Sequence, residues 1–344
     1  MTASMQDRLD TFPRHRLATL PTPLEPLPRL SERAGTGIWS KRDDLTGLAF
    51  GGNKVRKLEY LLGAARAEGC DTVVTFGALQ SNHARQTAAA CARAGLHCEL
   101  VLTTAVPRGG DGPGGAAYDA GGNVLLDHLL GATVTVVPNN DDAMAAAVTA
   151  VRQRVAARGG RARWVPPGGS DAVGTLGYVG AGLELAAQLR DLPRPAAAVV
   201  LAVSTGGTLA GLLTGLRGAG CAVPVLGVDV YRPAERTRPA VRELLDGVTE
   251  LLSATAPADD EVHLDDRFLG PGYGIPTEAM REAVELAART EGLLLDPVYS
   301  GKAMAALLAW GRSGRFGDDG PVVFLHTGGA PGLFAYPDLV DDAG

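Results

Sequence analysis

The sequence predicts an α/β protein with open parallel sheets and flanking helices, divided into two lobes. The chain has 344 residues, more than the ~100–200 residues of a typical single domain. Short apolar runs alternate with longer amphipathic stretches, which is the rhythm of a sheet with helices packed on it. The short runs are apolar throughout, as expected for parallel strands buried on both faces.

Six short apolar runs are the strand candidates. They are Thr72–Phe76, Cys98–Leu102, Thr133–Val137, Ala198–Val203, Val223–Val228 and Val322–Leu325. Apolar stripes at helical spacing, from Val55 to Ala65 and from Met280 to Ala288, predict two of the intervening helices.

Two stretches rich in glycine and proline interrupt this pattern. Residues 107–122 contain few apolar anchors and are predicted to form a mobile loop. Residues 166–170, Pro-Pro-Gly-Gly-Ser, are predicted to form a hinge. We therefore expect residues 55–165 to form a small domain, and residues 1–54 with 166–344 to form a large domain.

Composition excludes several classes of function. The formal net charge is −6 and no basic run stands out, so no nucleic-acid partner is expected. No run approaches the ~18 apolar residues of a membrane helix, and prolines at 13, 21 and 23 interrupt a start that lacks the apolar core of a signal peptide. The four cysteines form no CxxC pair, which indicates reduced thiols and no metal site. The expected location is the cytoplasm.

Lys54 follows two glycines and opens a predicted helix. Glycines let a backbone approach a ligand closely, and the positive end of a helix dipole favours an uncharged amine. An amine of lowered pKa is what Schiff-base chemistry requires. Because Arg56 and Lys57 follow, the alternative is a solvated lysine on a basic first turn.

Polar residues follow two of the strand candidates, where α/β folds bind ligands. Residues 80–85 read Gln-Ser-Asn-His-Ala-Arg, and one of them is expected to cap a helix in the alternative interpretation. A glycine-rich turn follows Val203, and its residues are Ser204, Thr205, Gly206, Gly207 and Thr208. Such a turn before a helix holds a single phosphate through its N–H groups, unless it is only a tight turn.

Three further segments carry candidate site residues: residues 270–274, 296–302 and 326–329. Tyr273 and Tyr299 lie in segments rich in glycine and proline, where a ring either faces a cleft or packs in the core. His326 is followed by Thr327 and two glycines, and a buried, hydrogen-bonded histidine is the commoner interpretation.

Together these segments resemble the family of D-cysteine desulfhydrases and 1-aminocyclopropane-1-carboxylate deaminases. The most specific pieces are residues 41–44 (Lys-Arg-Asp-Asp), 51–57 (Gly-Gly-Asn-Lys-Val-Arg-Lys) and 80–83 (Gln-Ser-Asn-His), in matching order and spacing. The resemblance extends from Pro21 to Gly329. It implies a pyridoxal-phosphate enzyme of fold type II, the tryptophan-synthase-β type, which is usually a homodimer and binds the cofactor in its large domain.

The resemblance also implies roles around the cofactor. It assigns the Schiff base to Lys54, the neighbourhood of the ring hydroxyl to Asn82, and the phosphate to residues 204–208. Ser300 and Thr327 are implied near the pyridine nitrogen. The deaminase branch has Glu and Leu at these two positions, and neutral hydroxyls favour β-elimination over opening of a cyclopropane ring.

Around the substrate, the resemblance implies Ser81 near the carboxylate or Cα, with Tyr273 and Tyr299 facing substrate and ring. Asn82 and His83 are also expected to bind the substrate. The expected catalytic residues are Lys54, Ser81, Tyr273 and Tyr299.

The expected function is therefore a lyase that eliminates the β-substituent of a small amino acid, converting D-cysteine to pyruvate, sulfide and ammonia. Three alternatives stay open: a cyclopropane deaminase, a lyase on another β-substituted alanine such as cysteate, and a catalytically idle pyridoxal-phosphate-binding regulatory protein. Preference for D or L substrates is also open.

Overall fold

The computed structural model describes residues 3–107 and 114–339, and these form two sheets with helices around them. The strands are β1 (Leu24–Pro26), β2 (Ile38–Lys41), β3 (Thr72–Ala78), β4 (His97–Thr103), β5 (Thr133–Val137), β6 (Ala162–Val165), β7 (Ala198–Val203), β8 (Val225–Asp229), β9 (His263–Asp265) and β10 (Val322–Leu325).

The helices are α1 (Met5–Leu9), α2 (Pro28–Ala34), α3 (Lys54–Ala67), α4 (Asn82–Ala94), α5 (Gly115–Ala120), α6 (Gly122–Leu129), α7 (Asp141–Ala157), α8 (Ala172–Leu189), α9 (Gly207–Gly218), α10 (Ala234–Leu251), α11 (Glu278–Glu291) and α12 (Ser300–Arg312).

The larger sheet has the strand order β1-β2-β10-β7-β8-β9, and the smaller has β5-β4-β3-β6. Only the pairing of β1 with β2 is antiparallel; every other pair in the described chain is parallel. The four strands of the smaller sheet all lie between residues 72 and 165. The division into domains at residues 54 and 165 remains a prediction.

The six predicted strands are all present as parallel strands. One starts later than expected, at Val225, since Pro224 has no N–H to donate. The strand β6 was not predicted, because its alternating Ala162, Arg163 and Trp164 are only half-buried at the sheet edge.

The loop predicted over residues 107–122 is partly wrong. Residues 108–113 lie outside the described chain, but residues 115–120 form the helix α5. One aromatic anchor holds it, because Tyr118 is 2% exposed and packs edge-on against Tyr336 at 5.7 Å.

The segment Lys41–Asp44 belongs to a buried ionic network and does not line a ligand cavity. Asp43 is fully buried and accepts both Nε and Nη2 of Arg56 at 2.9 Å. Glu184 of α8 accepts Arg56 Nη2 at 2.9 Å and forms an ion pair with Lys41. Through Arg56, two residues after Lys54, this network connects α3 to α8.

The helix α9 packs closely on α8, and this contact fixes the position of the glycine-rich turn that precedes α9. A Cβ added to Gly211 or Gly215 would lie 2.4 Å from Thr175 O or 2.2 Å from Val179 O. The two glycines therefore let α9 pack directly onto the backbone of α8.

All four cysteines are free: Cys70, Cys91 and Cys98 are buried, and Cys221 is half-buried. No helix in the described part of the chain is both long and apolar enough to cross a membrane.

Candidate active site

A cavity of about 390 Å³ lies where the carboxyl ends of strands from both sheets converge. The smaller sheet contributes Phe76 from β3 and Thr103 from β4. The larger sheet contributes Val203 from β7, with Tyr231 just beyond β8 and Thr327 just beyond β10. This is the place where parallel α/β sheets bind ligands.

Lys54 is the first residue of α3, and its side chain lines this cavity. Its Nζ donates to Asn53 Oδ1 at 2.9 Å. Burial lowers the pKa of Lys54 to about 8, and nearby Arg85 adds to this while the Asp296 carboxylate opposes it. At pH 7 a fraction of Lys54 on the order of one tenth is therefore an uncharged amine, far more than for a lysine with the usual pKa of about 10.4, and the uncharged form is the one that nucleophilic chemistry requires.

The glycines before Lys54 do not approach the cavity, contrary to expectation. A Cβ on Gly51 would lie 2.0 Å from Asp44 O, and one on Gly52 would lie 2.7 Å from Gln86 Nε2. Both glycines also have positive φ, +61° and +123°. Their role is to pack the turn tightly against protein, so that α3 begins with Lys54 facing the cavity.

Ser81 both caps a helix and lines the cavity, so the two interpretations of its segment hold together. Its Oγ accepts Ala84 N–H at 3.1 Å as the N-cap of α4, and the residue also lines the cavity. Its hydroxyl proton stays available to donate. Gln80 has a structural role, because its amide bonds to Tyr118 O and Asn123 N.

Asn82 lines the cavity and is held from behind by polar side chains. Its Oδ1 accepts from Asn123 Nδ2 at 3.1 Å and from Arg85 Nη1 at 3.4 Å. These two donors fix the amide orientation, so that the Asn82 NH₂ group is the part free to donate to a ligand.

His83 also lines the cavity, although it is only 4% exposed. Thr75 Oγ1 donates to Val165 O at 2.9 Å, so it must accept from His83 Nε2–H at 2.8 Å. Burial, reinforced by Lys54 and Lys57, holds the pKa of His83 well below its usual value. His83 is therefore neutral, with Nδ1 as an acceptor. Its role toward the substrate remains a prediction.

The predicted phosphate turn lies between β7 and α9. Ser204, Thr205, Gly206 and Thr208 line the cavity, and Gly206 has φ +89°. Thr208 Oγ1 accepts from Asn53 Nδ2 at 3.0 Å. The first N–H groups of α9 have no partner within the helix and carry its positive dipole end, so the turn fits a phosphate.

Lys57 lies next to this turn and was not predicted to belong to the site. Its Nζ donates to Gly168 O at 3.1 Å and Ser170 Oγ at 3.0 Å, and a Cβ on Gly207 would lie 2.7 Å from it. A side chain at residue 207 would therefore collide with the Lys57 amine, so glycine is needed at this position. Lys57 follows Lys54 by three residues, about one helical turn, so the sequence did indicate that the two side chains lie on the same face of α3.

Tyr273 and Tyr299 meet in the cavity wall, and their hydroxyls are hydrogen-bonded to each other. Burial raises the pKa of Tyr273 to about 12 and holds that of Tyr299 well above its usual value, so both stay protonated. Tyr231, which was not predicted, packs edge-on against Tyr273 at 5.3 Å and is 45% exposed. It lies in a segment that the sequence does not mark.

Of the two residues implied near the pyridine nitrogen, only Thr327 lines the cavity. Ser300 is 1% exposed, and its Oγ donates to Asp296 Oδ2 at 2.5 Å. The Ser300 hydroxyl is therefore bonded to Asp296, in the loop before α12, and does not reach the cavity. His326 is a buried core histidine, with Nε2 bonded to Leu294 O at 3.1 Å.

The cavity suits an anionic ligand despite the acidic chain. Among its lining residues in the described chain there is no Asp or Glu. The N-terminus of α9 and the Lys57 amine adjoin the turn at residues 204–208, and Lys54 and Asn82 line the same cavity. These residues fit the parts of pyridoxal phosphate: phosphate, aldehyde and ring hydroxyl.

Comparisons with known proteins agree with this geometry. A family model described as "Pyridoxal-phosphate dependent enzyme" matches residues 15–328. The D-cysteine desulfhydrase of Salmonella newport (strain SL254) is 46% identical to this chain over 328 residues, covering 95% of this chain and 97% of the relative. The D-cysteine desulfhydrase of Salmonella choleraesuis (strain SC-B67) gives the same values.

Solved structures confirm the predicted fold class. The crystal structure of an ACC deaminase homologue superposes with a TM-score of 0.86 at 36% identity, covering 99% of this chain and all of that one. Threonine deaminase isoform 2 from Solanum lycopersicum shares the fold, with a TM-score of 0.63 at 18% identity and coverage of 94% and 82%.

Proposed function

This chain belongs to the pyridoxal-phosphate dependent enzyme family, and we propose that it is a lyase that removes the β-substituent of a small amino acid, with D-cysteine as substrate. The observation that carries this proposal is one cavity that joins the Lys54 amine, the Ser81 hydroxyl and the paired tyrosines to a phosphate-binding turn. Relatives named for D-cysteine desulfhydration share 46% identity over nearly the whole chain.

Lys54, Asn82 and residues 204–208 would hold the cofactor, with Lys57 behind the phosphate. When bound, pyridoxal phosphate supplies an electron-withdrawing ring that stabilises negative charge at the substrate Cα. With a pKa of about 8, the Lys54 amine accepts the Cα proton. General-base help of this kind contributes about 10²–10⁴-fold.

The hydroxyl groups of the cavity serve as donors. Ser81, whose oxygen already accepts Ala84 N–H, directs its proton toward the substrate carboxylate. The Tyr273–Tyr299 pair remains protonated and donates to the departing group. The Cβ–S bond breaks with its electron pair on sulfur, which leaves as hydrogen sulfide, and the unsaturated product hydrolyses to pyruvate and ammonia.

A second candidate is opening of the cyclopropane ring of 1-aminocyclopropane-1-carboxylate. The likeness to an ACC deaminase homologue supports it. Neutral Thr327 counts against it, since the lining of the cavity in the described chain offers no carboxylate to keep a pyridine nitrogen protonated.

An absorbance spectrum from 300 to 500 nm tests the assignment of Lys54, followed by D-cysteine, L-cysteine and the cyclopropane amino acid in turn. We expect a visible band, with sulfide and pyruvate from D-cysteine. Lys54→Ala should abolish both the band and turnover, and so should Lys54→Arg, which keeps a cation but forms no Schiff base.

The outcomes separate the candidates. Release of 2-oxobutyrate from the cyclopropane substrate alone would favour the second candidate. An unchanged band in Lys54→Ala would remove Lys54 from its proposed role, and a band without turnover of any substrate would favour an idle cofactor-binding protein.

We also propose a cytoplasmic homodimer. Exposed apolar side chains support a second copy of this chain as partner: Leu125 and Leu129 on α6 are 58% and 77% exposed, and Phe334 is 72% exposed. The 3₁₀ turn that carries Phe334 packs against α6, so these side chains are on neighbouring elements.

A further inference from the structure

The two tyrosines of the cavity belong to separate loops that must be fixed relative to each other. Tyr273 lies between β9 and α11, and Tyr299 immediately precedes α12. Their rings lie 5.9 Å apart and their hydroxyls are hydrogen-bonded. Misplacing a reacting group by about 1 Å costs up to about 10²-fold in rate, so whatever fixes both loops matters for catalysis.

Asp296 fixes the loop of Tyr299. It is 1% exposed, and its Oδ1 accepts the N–H groups of Val298 at 2.9 Å and Tyr299 at 2.7 Å. Its Oδ2 accepts the N–H of Ser300 at 3.0 Å and the Ser300 hydroxyl at 2.5 Å. Four charge-assisted hydrogen bonds thus hold one short stretch of chain.

Lys302, on the first turn of α12, fixes the loop of Tyr273. It is fully buried, and its Nζ donates to the carbonyl oxygens of Leu269 at 2.7 Å and Gly272 at 3.0 Å. Gly272 is the residue directly before Tyr273. One side chain therefore spans from the helix that begins beside Tyr299 to the backbone that carries the other tyrosine.

Burying this amine is costly. Burial lowers the pKa of Lys302 to about 8, and the nearby Asp296 carboxylate offsets part of that. An apolar side chain would avoid the cost of desolvating a charge. A buried amine that donates to two carbonyls of a single loop is a specific means of fixing that loop.

We infer that Lys302 is a positioning residue for the elimination reaction: by holding the backbone of residues 269–272, it keeps the Tyr273 hydroxyl against that of Tyr299. Its effect on rate rests on the proposed function, whereas its effect on the loop does not. Lys302 itself does not line the cavity in the described chain.

Hydrogen–deuterium exchange of the holoenzyme tests the structural part. Lys302→Met should speed amide exchange in residues 268–274, while exchange in residues 204–212 and in β7 stays at the wild-type rate. The visible band of the bound cofactor should be retained. If Lys302→Met does not fold, Lys302→Gln, which keeps one donor, carries the same comparison and should give a smaller increase.

Kinetics test the consequence for Tyr273. Lys302→Met and Tyr273→Phe should each lower kcat by about 10²-fold, with little change in KM. Because one residue acts through the other, the double variant should be no slower than the slower single variant. Multiplied effects would show that Lys302 does not act through Tyr273.

Arg217→Met is the matched control. Arg217 Nη1 also donates to two backbone carbonyls, of Cys221 at 2.7 Å and Val223 at 3.1 Å, but at the far end of α9. Its loss should leave residues 268–274 and kcat unchanged. Unchanged exchange at 268–274 in Lys302→Met would overturn the inference whatever the substrate, whereas faster exchange with no lyase activity in the wild type would overturn only the proposed function.

Discussion

At the scale of single residues, burial sets the charge of the groups in and around the cavity. It lowers the pKa of Lys54 to about 8 and raises that of Tyr273 to about 12. One amine thus becomes a base near neutral pH while the hydroxyls opposite remain proton donors. Pairs of groups whose environments push their pKa values in useful directions define acid and base roles.

Burial also changes the pKa of Asp127, which lies outside the cavity. It is fully buried on α6, and neither carboxylate oxygen has a hydrogen-bond partner in the described chain. Burial raises its pKa to about 8, although nearby Arg85 opposes this. Because the folded pKa lies above the unfolded one, the stability is highest below the unfolded pKa of about 4 and is lost progressively as pH rises to the folded pKa of about 8.

We therefore predict that Asp127→Asn removes this pH dependence. Its stability should match that of the wild type at or below about pH 4 and exceed it increasingly from about pH 4 to about pH 8, by at most ~1.4 kcal/mol per pH unit. Urea unfolding at several pH values measures the difference. The exposed Asp319→Asn should follow the wild type throughout, and a constant gap between Asp127→Asn and wild type would contradict the prediction.

At the scale of elements, the start of α3 is the feature on which the site depends. The turn before it packs on Asp44 and Gln86, and the network of Arg56, Asp43 and Glu184 anchors its first turn. Although burial opposes it, Arg56 keeps the pKa of Asp43 below its usual value. That stabilisation is present above the usual pKa of Asp43 and is lost as pH falls.

Replacing Arg56 should therefore destabilise the whole fold. Arg56→Met leaves a buried carboxylate without its partner, which costs about 3–5 kcal/mol. The free energy of unfolding in urea at pH 7 measures this. Arg242→Met, which breaks exposed ion pairs with Asp246 and Asp259, should cost less than about 1 kcal/mol. Similar losses of unfolding free energy in both variants would show that the buried network contributes no more to stability than exposed ion pairs do.

Sequence reasoning succeeded where local pattern decides. The strands at 133–137, 198–203 and 322–325 have the predicted limits, because buried parallel strands are apolar throughout. It missed what tertiary contacts decide: Lys57 lies beside the turn at residues 204–208, Ser300 bonds to Asp296, and Tyr231 joins the cavity through the packing of its ring on Tyr273.

At the scale of the whole molecule, the site is built by two sheets and belongs to neither alone. Phe76 and Thr103 come from one, and Val203 and Thr327 follow strands of the other. A cavity between two parallel sheets receives ligand groups from the carboxyl ends of both. Any contact that fixes one sheet against the other therefore also fixes the site.

The proposed homodimer is tested at this scale. Leu129→Glu places a charge on the exposed apolar face of α6 and should convert the dimer to a monomer in sedimentation velocity. Leu251→Glu changes another exposed leucine, at the end of α10 and 38% exposed, and should leave the mass unchanged. A wild-type monomer, or a Leu129→Glu dimer, would exclude this face as the interface.

The placement of the cysteines has a consequence for an enzyme that releases sulfide. None of the four lines the cavity in the described chain, and a hydrogen bond with Cys91, together with burial, holds the pKa of Cys98 well above its usual value. Persulfidation and mixed disulfides form at accessible thiolates. The cavity in the described chain therefore contains no thiol that an oxidant, acting in the presence of the thiol substrate and sulfide, could convert to a mixed disulfide or persulfide.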